Sequence, residues 1–390
     1  MSIEIQAHRA NNEAESEKAI YLGTHRSCLP EVTLARVQPF LTRMGVTRVA
    51  DVTYLDDLGI PVFQAVRPNS RNLSVSQGKG VTRLLAKVSA IMEACETWHA
   101  EQLPQATFQA TIAEMEAQLP YSIYDLNLVE QHVLHERFLL EWLPGKLLTT
   151  GEQTFLPAGY VRLDLTATST WLAPTFNLTS NGLASGNTHE EAILHSLYEI
   201  IERDTLAQLR MGTLQERAID PQTVDGPASA PLLERLKQAG ADVAIKVASG
   251  QTGIPCFIAH IVSSNYPIVA PGYGCHLDRD VALSRALTEA AQSRLTMISG
   301  TRDDIDSHAY TRIQRKRRFA PLPKAATYFA FDTVPSVHLA TLREDLDEVK
   351  QRFFTHMQSS PIIVDLTRPD MNIPVVFVAA PQLRFLETHK

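Results

Sequence analysis

A spacing of small and acidic residues that recurs three times is the strongest constraint on this chain. Each copy reads Ala-x3-[Ala/Ser]-x2-Glu-x2-[Glu/Gln], and the copies begin at Ala86, Ala192 and Ala282. The last two positions of the copies are Glu93 and Glu96, Glu199 and Glu202, and Glu289 and Gln292. On an α-helix the two small residues and the first glutamate lie on one face. The pattern therefore predicts three related helices, in which small side chains leave room for a ligand beside a carboxylate.

The second copy carries the clearest signals of a helix. Thr188 and Glu191 have the spacing of a capping box, which marks the first turn. The polar stripe of this helix consists of Glu191, His195, Tyr198, Glu199 and Glu202. Taken alone, such a stripe is also typical of a solvated face, with Glu199 paired to Arg203 four residues later. Because the pattern recurs, a ligand site is the better interpretation.

The order of helical and strand-like segments predicts a mixed α/β (α+β) fold with three related acidic helices that face one cleft. The first acidic helix follows Gly78-Lys79-Gly80, the third covers residues 280–298, and a further helix is predicted within 120–150. The predicted strands are 46–54, 60–66, 160–165, 242–247, 255–263, 362–366 and 374–379. We expect a flexible N-terminus at 1–19 and a single domain over 20–390, subdivided near 105–155 and 210–240.

Composition excludes several classes of protein. A net charge of -7 argues against nucleic acid or an anionic membrane as the main partner. The first 19 residues lack the apolar segment of a signal peptide, and no run approaches the roughly 20 apolar residues of a membrane span. The four cysteines are scattered without a Cys-x2-Cys pair, so we expect free thiols in a reducing cytoplasm.

Several carboxylates in one cleft need protons, basic partners or metal ions. Two carboxylates about 4 Å apart repel each other by about 4 kcal/mol at an effective dielectric constant near 20. Oxygen ligands with little His or Cys favour Mg²⁺, which usually also contacts phosphate oxygens. Gly78-Lys79-Gly80 at a helix start would suit an anion, although it lacks the spacing of a P-loop.

One other metal site fits part of the sequence. Glu96 and His99 have the Glu-x2-His spacing of di-iron helix bundles, but no second copy of that motif is present. His99 also falls on the apolar stripe of its helix. We therefore interpret His99 as a core histidine.

Two of these acidic helices resemble motifs of the YcaO-domain family. Ser89-x3-Glu93-x2-Glu96 resembles the first acidic motif of that family. The segment from Asn187 to Arg203 resembles the second, with Glu191, Glu199, Glu202 and Arg203 in place. The resemblance covers most of the chain.

Two basic positions extend the resemblance. Arg285 resembles the later phosphate-side arginine of the family. Arg26 and Thr33 resemble a basic residue seven positions before a hydroxyl near the N-terminus, with Arg where some members have Lys. That exchange keeps the charge and alters the hydrogen-bond geometry.

The resemblance implies ATP- and Mg²⁺-dependent activation of a peptide backbone amide through phosphorylation of its oxygen. It implies that Mg²⁺ is held by Glu93, Glu96, Glu191, Glu199 and Glu202. It also implies that Arg203 and Arg285 neutralise the transferring phosphoryl group. The nucleotide would be lined by Arg26, Thr33, Lys79, Ser89 and Asn187.

The nucleophile that attacks the amide decides the product. Azoline-forming members typically end in a Pro-x-Pro-x-Pro tail, which the sequence after Pro381 lacks, and we expect no fused leader-peptide-binding domain. Both features resemble stand-alone members that work with a TfuA-type partner and install thioamides in a precursor peptide. Azoline or amidine formation, and a nucleotide-binding scaffold that activates a partner, stay open as alternatives. A leader-binding protein is the alternative to a TfuA-type partner, and we also expect a homodimer.

Overall fold

The computed structural model describes residues 17–103, 107–166, 175–302, 304–305, 319–357, 360–381 and 383. In these residues the chain forms a mixed α/β fold in which every pair of hydrogen-bonded strands is antiparallel. The predicted fold class is confirmed. Most of the predicted flexible N-terminus lies outside the described residues.

Eight α-helices occur in the described residues. They are α1 Pro30–Val37, α2 Arg83–Glu101, α3 Ile112–Met115, α4 Ala158–Val161, α5 His189–Arg210, α6 Ser229–Gln238, α7 Arg279–Ser299 and α8 Leu342–Met357. The three acidic patterns lie in α2, α5 and α7. Thr82, Thr188 and Asp278 cap these helices through their side-chain oxygens, which accept hydrogen bonds from first-turn N–H groups.

Fifteen strands in the described residues form four sheets. The strands are β1 Ala19–Tyr21, β2 Thr24–Arg26, β3 Arg48–Asp51, β4 Val62–Val66, β5 Val75–Lys79, β6 Phe108–Thr111, β7 Leu139–Leu147, β8 Gln153–Pro157, β9 Leu183–Ser185, β10 Arg217–Ile219, β11 Ala241–Ser249, β12 Pro255–Ser263, β13 Ala270–Cys275, β14 Ile362–Asp365 and β15 Val375–Ala379. Their order is β1-β2, β3-β4-β5, β6-β7-β14-β15-β9 with β8 beside β7, and β10-β11-β12-β13. One acidic helix packs on each of the three larger sheets.

Two predicted elements are wrong. Part of the helix predicted within 120–150 is strand β7, in which Pro144 and Gly145 are extended residues rather than a helix end. Gly145 is required there by a neighbouring strand, because a Cβ atom on it would lie 3.0 Å from Ile362 Cγ2. The strand predicted at 160–165 is absent. The chain instead forms the single helical turn α4, which ends at Val161.

The small residues of the repeated pattern serve packing rather than ligand access. A Cβ atom built on Gly78 of β5 would lie 2.0 Å from Ala90 N, and one on Gly274 of β13 would lie 2.8 Å from Ala286 N and 2.1 Å from Ala282 O. Ala86 and Ala90 are fully buried against this contact. On α5 the equivalent Ser196 donates a hydrogen bond to Gly182 O at 2.6 Å. Each acidic helix therefore lies unusually close to the backbone before it, which fixes where its carboxylates stand.

No helix in the described part of the chain combines the length and the apolar character needed to cross a membrane.

Candidate functional site

The helices α2, α5 and α7 border one cleft with a volume of about 760 Å³. All twelve residues predicted as metal, nucleotide or phosphate contacts line this cleft. They are Arg26, Thr33, Lys79, Ser89, Glu93, Glu96, Asn187, Glu191, Glu199, Glu202, Arg203 and Arg285. Glu289 and His195, which the sequence patterns contain but the predicted set of contacts omits, line the same cleft.

The α2 carboxylates meet neutral donors only. Gln77 N donates to Glu93 Oε1 at 3.3 Å, while Ser185 N and Oγ donate to Glu96 Oε1 at 2.9 and 2.6 Å. Burial without a contacting cation raises the pKa of Glu93 to about 7 and that of Glu96 to about 8. Both side chains therefore carry a large share of bound proton at neutral pH when no metal is present.

The α5 carboxylates share one arginine. Arg203 lies 3.9 Å from Glu199 and 3.8 Å from Glu202, which confirms the predicted pairing with Glu199. Burial still raises the pKa of Glu202 to about 7 and also raises that of Glu199. The pKa of Arg203 is raised by the two glutamates, although burial alone would lower it.

The α7 carboxylate has a close cation. Lys79 Nζ lies 2.5 Å from Glu289 Oε2, and this ion pair holds the pKa of Glu289 below its usual range despite burial. Lys79 belongs to strand β5 and not to a loop at a helix start. The segment is therefore the end of a strand and not the predicted loop, although Lys79 does reach the cleft.

Glu191 is fully occupied by protein donors. It accepts hydrogen bonds from Ser27 N at 2.9 Å, Ser27 Oγ at 2.8 Å, Asn187 Nδ2 at 3.0 Å and Arg26 Nη1 at 3.2 Å. Only half of the predicted capping box forms: Thr188 Oγ1 accepts from Glu191 N, but the Glu191 carboxylate bonds Asn187 N. Thr33 Oγ1 donates to Asn187 Oδ1 at 2.9 Å. Glu191 thus ties the segment after β2 to the start of α5.

The donor set fits Mg²⁺. The carboxylates of Glu93, Glu96, Glu199 and Glu202 line one cleft and have pKa values that are raised chiefly by burial, and carboxylate oxygens are ligands that Mg²⁺ prefers. His99 does not belong to this set. It is fully buried, and its Nδ1 lies 2.7 Å from Cys95 O, which confirms a core histidine. The four cysteines are free thiols, as predicted.

A second group of potential metal ligands lies outside the cleft. His25, His276 and Asp345 offer ligand atoms within 4.8 Å of one another. Lys18 Nζ already lies 2.7 Å from Asp345 Oδ2, and Asp278 N donates to His276 Nδ1 at 2.9 Å. Lys18 thus supplies the positive charge beside Asp345, and one ring nitrogen of His276 is already used as an acceptor. The group is therefore a polar cluster that holds the N-terminal strands.

Comparison with known families decides the classification. Residues 77–384 match a protein-family model described as YcaO cyclodehydratase, ATP- and Mg²⁺-binding. The chain belongs to the YcaO family. The predicted family is therefore confirmed, and ATP and Mg²⁺ as cofactors are confirmed at the level of the family.

Two relatives align with nearly the whole of this YcaO-family chain. An uncharacterized protein of Mycobacterium tuberculosis is 40% identical over 367 residues, which are 93% of this chain and 83% of the relative. An uncharacterized protein from the tfuA 3′ region of Rhizobium leguminosarum bv. trifolii is 36% identical over 377 residues, 92% of this chain and 88% of the relative.

Two solved structures share the YcaO fold. The YcaO protein from Methanopyrus kandleri, bound with AMPPCP and Mg²⁺, has a TM-score of 0.72 and 23% identity, and the match covers 94% of both chains. A heterocyclase in complex with substrate and cofactor has a TM-score of 0.75 and 23% identity, over 97% of this chain and 55% of that one.

Proposed function

We propose that this YcaO protein uses ATP and Mg²⁺ to phosphorylate the oxygen of a peptide backbone amide, and that it thereby installs a thioamide in a ribosomally made peptide. The observation that carries the proposal is the single cleft in which carboxylates from three helices face Lys79, Arg203 and Arg285. A triphosphate with bound Mg²⁺ has the complementary arrangement of negative oxygens and cations.

The carboxylates divide into two roles in this proposal. Glu93, Glu96, Glu199 and Glu202 hold Mg²⁺, because their oxygens accept few hydrogen bonds and their pKa values are raised. Glu191 instead positions the nucleotide-lining residues Arg26, Thr33 and Asn187, since both its oxygens are used by protein donors. Lys79 and Ser89 complete the nucleotide side.

The proposed reaction requires neutralisation of the negative charge on the phosphoryl group more than it requires covalent catalysis. A nucleophile adds to the amide carbon, and the carbonyl oxygen takes the γ-phosphoryl group, releasing ADP. The carbon–oxygen bond then breaks and phosphate leaves with that oxygen. Arg203 and Arg285 stabilise the negative charge on the transferring group, as cations do in phosphoryl transfer generally. Bound Mg²⁺ supplies further neutralisation of the phosphate oxygens.

The relative from the tfuA 3′ region supports a TfuA-type partner, and the resemblance to members that work with such a partner is the reason for proposing sulfur as the nucleophile. With hydrogen sulfide or a sulfur-carrying partner as donor, sulfur replaces oxygen and the peptide gains about 16 Da. The cleft offers no Cys-x2-Cys pair for sulfur delivery, so we expect a TfuA-like partner or excess sulfide to be required. The family description as a cyclodehydratase favours the second candidate, in which a side chain of the peptide attacks and the product loses about 18 Da.

Co-expression with the neighbouring genes, followed by mass spectrometry of their peptide and protein products, tests the proposal. The expected result is a gain of about 16 Da on one peptide, absent when Glu199→Gln replaces the wild-type enzyme. A loss of about 18 Da would overturn thioamide formation and leave amide activation standing. Nucleotide binding without any peptide-dependent ATP consumption would identify a scaffold instead of an enzyme.

A further inference from the structure

The three cations of the cleft differ in what holds them. Lys79 contacts the carboxylate of Glu289, and Arg203 is shared by two glutamates. Arg285 has a neutral partner: its Nη2 lies 3.1 Å from His195 Nδ1. Among the described residues this is the sole hydrogen bond of the Arg285 guanidinium, and no carboxylate oxygen lies within 4.0 Å of it. Arg285 therefore keeps its net positive charge and most of its N–H groups for a ligand.

We propose that His195 is the positioning residue for Arg285, and that it aims the guanidinium at the terminal phosphate of a nucleoside triphosphate through a neutral acceptor that leaves the charge uncancelled. The inference rests on the proposed function of the cleft. It adds a residue to that function and a reason why the acceptor is uncharged.

The geometry fixes the state of the imidazole. Arg285 can only donate, so His195 Nδ1 must accept and the ring proton must be on Nε2. His195 projects from α5 one turn after Glu191 and one turn before Glu199, and Arg285 projects from α7 one turn before Glu289. His195 and Arg285 both line the cleft and also a separate cavity of about 20 Å³ behind it. The pair thus forms part of the wall between the two spaces.

Electrostatics keep this acceptor neutral. Burial, and then the positive charges of Arg285, Arg26 and Lys79, place the pKa of His195 well below its usual value. A protonated imidazole would lose the lone pair that accepts from Arg285 and would repel it. A carboxylate at the same position would accept the hydrogen bond but would cancel the charge that phosphate needs. A neutral acceptor such as this ring nitrogen avoids both effects.

Three variants separate position from charge. His195→Asn keeps a neutral oxygen acceptor close to the position of Nδ1, His195→Asp keeps the acceptor and adds a negative charge, and His195→Leu removes the acceptor. The readout is the dissociation constant of AMPPCP and of ADP, each with Mg²⁺, measured by calorimetry on the full chain. His356→Leu, at an exposed position of α8, is the matched control.

We expect His195→Asn to bind AMPPCP within about 3-fold of the wild type. His195→Leu and His195→Asp should bind AMPPCP about 10-fold or more weakly, because a charge-assisted contact to phosphate is lost or cancelled. ADP affinity should change less than AMPPCP affinity in both, since ADP lacks the terminal phosphate.

Two results would overturn the inference. Equal losses for AMPPCP and ADP in His195→Leu would show a general structural role, and equal affinities of the Asn and Asp variants would show that neutrality is irrelevant. If the wild-type protein itself fails to bind AMPPCP with Mg²⁺, the proposed function fails, which is a different outcome from an insensitive His195 variant in a protein that binds.

Discussion

Glu93 on α2 and Glu289 on α7 occupy the same position of the repeated pattern and have opposite electrostatics. Both helices lie against a glycine of the preceding strand, through Gly78–Ala90 in one case and Gly274–Ala286 in the other. Yet the pKa of Glu93 is raised to about 7, whereas that of Glu289 is below its usual range. The difference comes from Lys79, which contacts Glu289 and only acts on Glu93 from a longer distance.

The comparison shows that local geometry and charge are set at different levels. The repeated spacing fixes where a carboxylate stands relative to its own sheet. A charged residue from another element then determines whether that carboxylate is ionised in the metal-free protein. Glu93 and Glu96 on α2 accept hydrogen bonds from neutral donors, whereas Glu289 on α7 is paired with Lys79.

The largest expected effect comes from breaking the geometry that the two helices share. Gly78→Ala would place a Cβ atom 2.0 Å from Ala90 N, so α2 must move away from β5 and carry Glu93 out of position. We expect the free energy of unfolding to fall by about 2 kcal/mol or more, measured by urea denaturation, and Mg²⁺-dependent nucleotide binding to be lost.

Gly159→Ala is the control for that substitution. Its Cβ atom would lie 3.7 Å from Phe176 Cδ2, an ordinary contact, so stability should change by no more than about 0.5 kcal/mol. Equal stability of the two variants would refute the proposed role of the glycine contact.

The second largest effect is expected when the difference in pKa between Glu93 and Glu289 is removed. In Lys79→Met, Glu289 loses its contacting cation and burial should raise its pKa, so that it resembles Glu93. Binding of AMPPCP with Mg²⁺ at pH 7 should weaken about 10-fold and release up to about one additional proton. Calorimetry in buffers of different ionisation enthalpy measures that proton count, with Lys87→Met as the control. An unchanged count would show that Lys79 does not set the charge of Glu289.

A smaller effect follows from pH in the unaltered protein. Glu93, Glu96 and Glu202 bind protons in the folded, metal-free state with pKa values of about 7, 8 and 7, above the usual value of 4.5. Because the folded state holds more protons than the unfolded state in this range, stability should fall as pH rises from 6.5 to 8.5. Mg²⁺ displaces these protons, so its affinity should rise about 10-fold or more over the same interval.

Thermal melts and Mg²⁺ titrations at several pH values test both trends. A metal-free protein whose melting temperature rises with pH over this interval, together with a flat Mg²⁺ affinity, would contradict the raised pKa values of the α2 carboxylates.

The helices of the site were predictable from sequence because their signals are local. The capping residue Thr188 marks the start of α5, and the bounds predicted for α7, 280–298, differ by one residue at each end from those observed. The sequence set no end for α5, which continues to Arg210. The family resemblance points to the same helices. That all three helices border one cleft was also predicted, and the twelve residues assigned to the site line that cleft.

What the sequence could not show depends on long-range contacts. Lys79 and Glu289 are 210 positions apart, and Arg285 meets His195 from 90 positions away. The role of Ala86 and Ala90 was misread because the partner glycine belongs to a strand, which local periodicity presented as a loop. Strand β7 was misread as a helix because Pro144-Gly145 usually ends one, whereas here the glycine admits a neighbouring strand.

The most direct test of the site is the binding of AMPPCP to Glu199→Gln, measured by calorimetry with and without Mg²⁺. The glutamine keeps an acceptor for Gly182 N, which donates to Glu199 at 3.3 Å, so the fold and the melting temperature should be preserved. We expect the wild type to bind AMPPCP tightly only with Mg²⁺, and the variant to lose about 100-fold or more of this affinity. A folded variant with the wild-type affinity for AMPPCP and Mg²⁺ would contradict the assignment of the cleft as a carboxylate-bound Mg²⁺–nucleotide site.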